Sequence, residues 1–223
     1  MKYLIVTGDD FGASPGVNRG ILEAHRRGIL TSTSVMVDMP WSEEAGALAR
    51  VAPDLSVGLH VQLDGKGEAP TPPGDCLAEI LRQLRRFEEL LGRPPTHIDS
   101  HHNVHRHPWS LPAFREAAAL CARPLRWESA VRCVSSFYGR WGGESHPEQI
   151  GVEYLLRLVR TEFGEGATEL CCHPGYADPD LRSSYFAERE IERATLCDPA
   201  VRAALEERGI ALIGFRDLPP GLR

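Results

Sequence analysis

Short apolar, β-forming runs alternate with amphipathic helical patterns along the whole chain, and this alternation most constrains what it can fold into. A strand followed by a helix that crosses back over the sheet is the connection that parallel strands need. Met1 to Val6 is the first apolar run. Ser14-Pro15 reads as a cap and first helical residue, opening a helix to about Arg27 that Gly28 closes. Ile29 to Val37 contains the second strand, and Ser42 is expected to cap a helix through about Arg50. Ser56 to Leu63 is the third strand, with His60 in it, and Asp64 to Gly74 reads as a Gly- and Pro-rich surface loop. Apolar residues recur at helical spacing from about Cys76 to Leu91, where Gly92 and Pro94-Pro95 stop the helix.

Thr96 to Asp99 is a short fourth strand, followed by the polar, histidine-rich loop His101 to Pro108. A helix is expected from about Leu111 to Cys121 and a fifth strand at Leu125 to Trp127. Residues 128–146 mix aromatics with glycines and read as a long active-site or interface loop. Pro147 opens a helix to about Phe163, and Glu169 to Cys172 is the sixth strand. Helices over Glu188 to Thr195 and from Asp198-Pro199 to Gly209 precede a last strand, Ile210 to Phe215. No repeat, linker or low-complexity tract interrupts the pattern, so residues 1–223 are read as one domain. Six or seven strands in this order imply a parallel sheet, closed as a barrel or open.

The formal net charge of −6 argues against a general nucleic-acid binder and offers nothing to an acidic membrane surface. No run is long and apolar enough to span a bilayer, and Asp9-Asp10 interrupts the first apolar segment before it could serve as a signal peptide, so a cytoplasmic location is expected. The six cysteines form no CxxC pair and are read mainly as small buried apolar residues, with Cys171-Cys172 inside a strand.

Polar outliers collect at the carboxyl ends of the strands. Asp9 and Asp10 end the first, His60 lies in the third, Asp99, His101 and His102 follow the fourth, and His173 ends the sixth. Adjacent aspartates repel and are poor strand formers, so fold stability alone does not place them there. The plain alternative is that Asp10 or Ser14 only caps the next helix. In a barrel those strand ends converge on one face, where binding and catalytic groups sit. Two histidines and one aspartate suit a catalytic divalent cation. A second carboxylate can take a proton from water, and a further histidine can return one to a leaving group. The chemistry suggested is metal-assisted hydrolysis of an amide or ester. Each residue has a plainer reading as well: His60 as a core histidine, His101, His102, His105 and His107 as a solvated loop, and His173 as a turn residue. His101 and His105 share a face only if their stretch is helical, and Pro108 favours an extended loop.

The motifs TGDDFG (7–12), GILTSTSVMV (28–37), GLH (58–60), THIDSHHNVH (96–105) and CCHPGY (171–176) together resemble the YdjC-like carbohydrate deacetylases, a family that includes chitooligosaccharide deacetylase and hopanoid-biosynthesis relatives. The resemblance covers nearly the whole chain in order. It implies an α/β, TIM-barrel-like (β/α) fold, irregular with about seven parallel strands, and metal-dependent removal of an acetyl group from an N-acetylated sugar. It further implies Asp10, His60 and His101 as the metal ligands. One divalent ion is expected, Mg or Zn first and Mn or Co as alternatives, since ligand type alone does not choose among them. Asp9 is implied as the base, His173 as the acid, and Asp99 as the group that orients a histidine; His102 and His105 are expected to support the site or meet substrate. The segment between His60 and Thr96 is short for the family, and Asn103 stands where relatives often have His or Gln; both bear on the pocket mouth and so on the sugar accepted. The expected partner is a small carbohydrate or glycoconjugate, with no nucleic acid and no membrane span, and the aromatic-rich 137–141 region is a candidate homodimer surface. Two other readings stay open: a phosphoesterase, which would call for two or more metals, and a binding protein that has lost turnover.

Overall fold

The first strand, β1 (Lys2–Phe11), lies at the centre of the sheet in the computed structural model, which describes residues 1–63, 76–181 and 183–222. Leu4, Ile5 and Val6 are fully buried, as expected of a strand covered on both faces. The elements that follow are α1 (Pro15–Arg27), β2 (Ser32–Val35), α2 (Ser42–Arg50), β3 (Ser56–Val61), α3 (Cys76–Leu91), β4 (Ile98–Ser100), α4 (Leu111–Cys121) and β5 (Arg132–Val134). A small hairpin, β6 (Arg140–Trp141) and β7 (Glu144–Ser145), precedes α5 (Val152–Thr161), β8 (Gly166–Cys172), α6 (Ala187–Leu196), α7 (Pro199–Glu207) and β9 (Ile210–Leu212). Seven strands form one parallel sheet in the order β4-β3-β2-β1-β8-β5, with β9 beside the first half of β1. The sheet curls into a half-barrel with flanking helices. Its two edges are spanned by one stretch of chain: Leu125 bridges Ile98 of β4, and Arg132–Val134 pairs with β8. The loop expected at Asp64 to Gly74 lies outside the described residues.

Several expectations are met by the local chemistry that prompted them. Ser14 Oγ accepts from Val17 N at the start of α1, and Asp198 Oδ1 accepts from Ala200 N at the start of α7. The bounds of α3 match the apolar spacing at both ends. Cys76, Cys133, Cys171 and Cys172 are buried and all six cysteines are free. Other expectations are corrected. The fifth strand is not Leu125 to Trp127, which contributes a single bridge, because Trp127 adopts φ 69° and turns the chain off the sheet. The strand sits instead at Arg132–Val134, within the stretch read as a loop. That stretch also carries the β6–β7 hairpin, closed by Gly142 and Gly143 at φ 60° and 85°. Ser42 is the first residue of α2, not its cap; Trp41 holds the cap position without a side-chain bond. The helix expected to begin at Pro147 is a separate 3-10 turn (Pro147–Gln149), and α5 begins after Gly151, whose ψ of 169° is extended. Phe215 lies past the end of β9, in a 3-10 turn.

Close backbone packing sets the height of the turn after β8. A Cβ on Gly20 would lie 2.4 Å from Gly175 Cα, so only glycine lets α1 press against the His173-Pro174-Gly175 turn. Asp178 reinforces this by accepting from Gly16 N in the first turn of α1 at 2.5 Å.

Candidate active site

A β-bulge is what brings the two aspartates into one pocket. Gly8 pairs with Thr33 and Phe11 with Val35, leaving Asp9 and Asp10 opposite Ser34 alone. Neighbouring strand residues normally point to opposite faces; the extra residue, with Asp10 at φ 70°, breaks that alternation. Both side chains are nearly buried. Ser34 Oγ donates to Asp9 Oδ1 at 3.2 Å.

Asp10 Oδ1 lies 3.4 Å from His60 Nε2 and 3.2 Å from His101 Nδ1. One ligand atom from each of these three residues falls within 4.8 Å of the others. β1, β3 and the segment after β4 thus converge as the sequence pattern anticipates. His60 is held from its other side: Nδ1 is 2.7 Å from Asp99 Oδ1 and 3.1 Å from Ser34 Oγ. A carboxylate on Nδ1 fixes the tautomer that leaves Nε2 open to the cleft, the arrangement found behind metal-bound histidines. The donor set, two imidazoles and a carboxylate, fits a divalent cation.

The expected helical or extended alternatives for the histidine loop resolve into a 3-10 turn over His101–Arg106, kinked where His102 and Asn103 both adopt φ 53°. The kink separates the histidines. His101 faces Asp10; His102 is exposed and its ring lies 3.8 Å from that of His101. His105 is fully buried, 2.6 Å from Ser100 Oγ through Nδ1 and edge-on to Phe114, and is not part of the three-residue cluster.

Arg126 is a buried group of the cluster that the sequence reading missed. Its Nη1 and Nη2 each donate to one oxygen of Asp9 at 2.8 Å. Nη2 also lies 2.6 Å from Asp99 Oδ2, and Nε donates to Glu169 Oε1 at 3.1 Å. The guanidinium is 1% exposed. It therefore binds the carboxylate beside the cluster and the one behind His60 in a single fork. An arginine inside a three-residue apolar run was the signal available for it. On the opposite wall, Arg189 Nη2 donates to Asp10 Oδ2 at 2.5 Å. His173 ends β8 beside it, with its backbone N–H donating to Glu192 Oε2 at 2.5 Å. The His173 ring sits against Tyr138 and Tyr185, centroids 5.6 Å and 5.4 Å away.

Charge balance follows from these contacts. Burial raises the Asp10 carboxyl, but the Arg189 guanidinium and the bonds from His101 and His60 outweigh it and hold Asp10 well below the usual carboxylate range. Burial lowers His60, yet Asp99, Asp9 and the bonds to Asp10 and Asp99 lift it to about 10. His173 is pushed down to about 4 by burial, against the pull of Asp10 and Asp9, and is neutral at neutral pH. Burial raises Glu192 to about 8. A proton is therefore favoured on His60, between Asp10 and Asp99, and disfavoured at His173.

Fold and cluster define a class: a parallel-strand β/α half-barrel with an aspartate–histidine cluster at the strands' carboxyl ends. The chain belongs to the YdjC-like protein family, whose model matches residues 3–76 and 69–207. It is 37% identical to a carbohydrate deacetylase of Geobacillus stearothermophilus, over 97% of this chain and 98% of that one. It is 36% identical to a chitooligosaccharide deacetylase of Serratia marcescens, over 97% and 99%. The crystal structure of a candidate cellobiose-phosphate cleavage protein from Enterococcus faecalis V583 superposes with a TM-score of 0.85 at 30% identity, covering 96% of this chain and 97% of the other. A family 4 carbohydrate esterase from Streptomyces lividans, solved in complex with acetate, gives a TM-score of 0.59 at 14% identity over 95% and 91%, a likeness of fold.

Proposed function

We propose that the chain is a metal-dependent hydrolase that removes the acetyl group from an N-acetylated sugar, a chitooligosaccharide or a related N-acetylhexosamine conjugate, and that residues 1–223 act as one catalytic domain. The relatives named as carbohydrate and chitooligosaccharide deacetylases support the substrate class. The observation that carries the mechanism is the convergence of Asp10, His60 and His101 beside an Asp9 carboxylate gripped at both oxygens by Arg126.

Asp10, His60 and His101 would hold the cation, and two imidazoles favour zinc over magnesium, which prefers an all-oxygen shell. When bound there, a divalent cation supplies Lewis acidity to the acetyl carbonyl and makes an attacking water more acidic. Asp9 is the base. Arg126 fixes both of its oxygens and Ser34 donates to one, so the carboxylate is aimed before substrate arrives. Asp99 keeps His60 in the tautomer that presents Nε2. His173 returns a proton to the departing sugar nitrogen. Burial holds it neutral in the free chain, so the proton it delivers would be the one Asp9 takes from the attacking water, received by His173 in the substrate complex, and the two transfers balance. Tyr138, half-exposed beside His173, offers a ring face for a pyranose.

The phosphoesterase reading calls for a second metal. The adjoining grouping Asp9, His60 and Asp99 carries the Arg126 guanidinium on three of its carboxylate oxygens, and that positive charge opposes a second cation there. The test is acetate release from N,N′-diacetylchitobiose by protein stripped with a chelator and then resupplied with Zn, Mg, Mn or Co in turn. Release restored by one of these metals supports the proposal. No release with any metal, from this sugar and a wider panel of N-acetylated sugars, would refute it.

A further inference from the structure

The buried face of α6 is polar where an amphipathic helix normally presents apolar side chains. Glu188, Arg189 and Glu192 are each no more than 2% exposed. Burying charges without return is costly, so their partners identify what the helix is for. Glu188 takes Arg140 of the hairpin. Glu192 accepts from His173 N, and the Tyr185 hydroxyl donates to its other oxygen. Arg189 spreads over three groups: Nε donates to Tyr185 O at 3.0 Å, Nη1 to His173 O at 3.5 Å, and Nη2 to Asp10 Oδ2 at 2.5 Å.

The last of these contacts has a direct chemical consequence. Asp10 stands on a bulge at positive φ. One of its oxygens is taken by a guanidinium that the Tyr185 and His173 carbonyls hold in place. Oδ1 alone is left facing His60 and His101. Gly175 shapes the seat for this arginine: a Cβ there would sit 3.2 Å from Arg189 Cδ, and Gly175 N donates to Arg189 O at 3.1 Å.

We infer that Arg189 is a positioning residue: by capturing Asp10 Oδ2 it presents Oδ1 as a single-oxygen donor to the cation cluster and ties that donor to the His173 turn. This inference rests on the metal reading above and adds a residue that does not itself bind the cation. Partners that orient a metal ligand typically contribute about 10- to 100-fold in metal affinity.

The test compares wild type, Arg189→Met and Arg189→Lys in binding of Zn²⁺ alone by calorimetry, with the visible absorption of the Co²⁺-loaded proteins as a readout of ligand geometry. Methionine keeps the apolar stem against Gly175 and removes the fork; lysine keeps a charge but cannot make three bonds. The expected result is Zn²⁺ affinity about 10-fold or more weaker in Arg189→Met, an intermediate value in Arg189→Lys, and a changed Co²⁺ spectrum, in proteins that retain cooperative thermal unfolding. If Arg189→Met does not fold, Arg189→Lys carries the comparison and should still bind more weakly. Wild-type affinity and spectrum in every folded variant would overturn the role of Arg189 while leaving the metal site intact. Failure of the wild-type chain to bind Zn²⁺ or Co²⁺ at all would overturn the metal reading itself, and this inference with it.

Discussion

Arg126 grips Asp9 through two parallel hydrogen bonds of 2.8 Å, from a residue next to the bridge between Leu125 and Ile98 of β4. The same guanidinium meets Asp99 and Glu169, so one buried cation orders three carboxylates. Removing one partner of a buried pair leaves charge uncompensated and costs about 3–5 kcal/mol. Arg126→Ala should therefore show a large loss of stability in chemical denaturation. Arg126→Lys, which keeps the charge and loses the fork, should fold, with kcat for acetate release falling about 100-fold and KM changed much less. A Lys variant with wild-type kcat would show that the aim of Asp9 does not matter.

The three proposed ligands should separate cleanly from their histidine neighbours. His60→Ala and His101→Ala should each weaken Zn²⁺ binding by at least about 100-fold, since outer partners alone contribute that much. His102→Ala, at an exposed residue, should leave the stoichiometry of bound Zn²⁺ unchanged. Metal content after dialysis is the measurement; loss of zinc from His102→Ala together with its retention in His101→Ala would reassign the ligand.

Acid should unfold this protein through its buried neutral histidines. Burial lowers both His97 and His105 to about 4, outweighing the opposing pull of Asp99. Above pH 6.5 both the folded and unfolded states are neutral at these residues and no penalty applies. As pH falls from 6.5 toward 4, only the unfolded chain takes up the protons, and stability is lost by up to about 3 kcal/mol per residue. The depressed carboxylates Asp10 and Asp99 add to the loss in the same direction at lower pH. Thermal midpoints at pH 7 and 4.5 should fall less steeply for His105→Gln than for wild type; equal slopes would contradict the assignment.

His97 fills the space that Gly58 leaves open. A Cβ at position 58 would lie 2.4 Å from the His97 ring, and that ring is stacked at 4.0 Å on Phe215 and cannot retreat. Gly58→Ala should cost about 1–3 kcal/mol by overpacking, and His97→Ala should relieve most of that cost in the double variant. Additive losses in a double-mutant cycle would contradict the close packing.

The parts of this architecture that the sequence made legible are those where charge interrupts a regular pattern. Asp9, Asp10, His60, Asp99 and His173 stand in or after apolar runs that read as strands, and the strands' parallel order brings them together. α3 was readable to the residue because apolar spacing and the Gly-Pro stops agree. Arg189 and Glu192 were not legible, because AEREIERATL carries the charge mix of a solvated helix and only the fold decides which face is covered. The separation of His101 from His105 depends on two left-handed residues, His102 and Asn103, that no periodicity reports. The same holds for β5, since Trp127 leaves the sheet at positive φ and the strand resumes five residues later.

Turnover by Asp9→Asn loaded with the activating metal tests the central claim most directly. The substitution keeps the shape of the side chain, replaces one of the two oxygens that accept from Arg126 with an amide nitrogen, and removes the base. The account predicts acetate release reduced by about 10²- to 10⁴-fold with bound metal unchanged. Wild-type turnover in the metal-replete Asp9→Asn protein would contradict it.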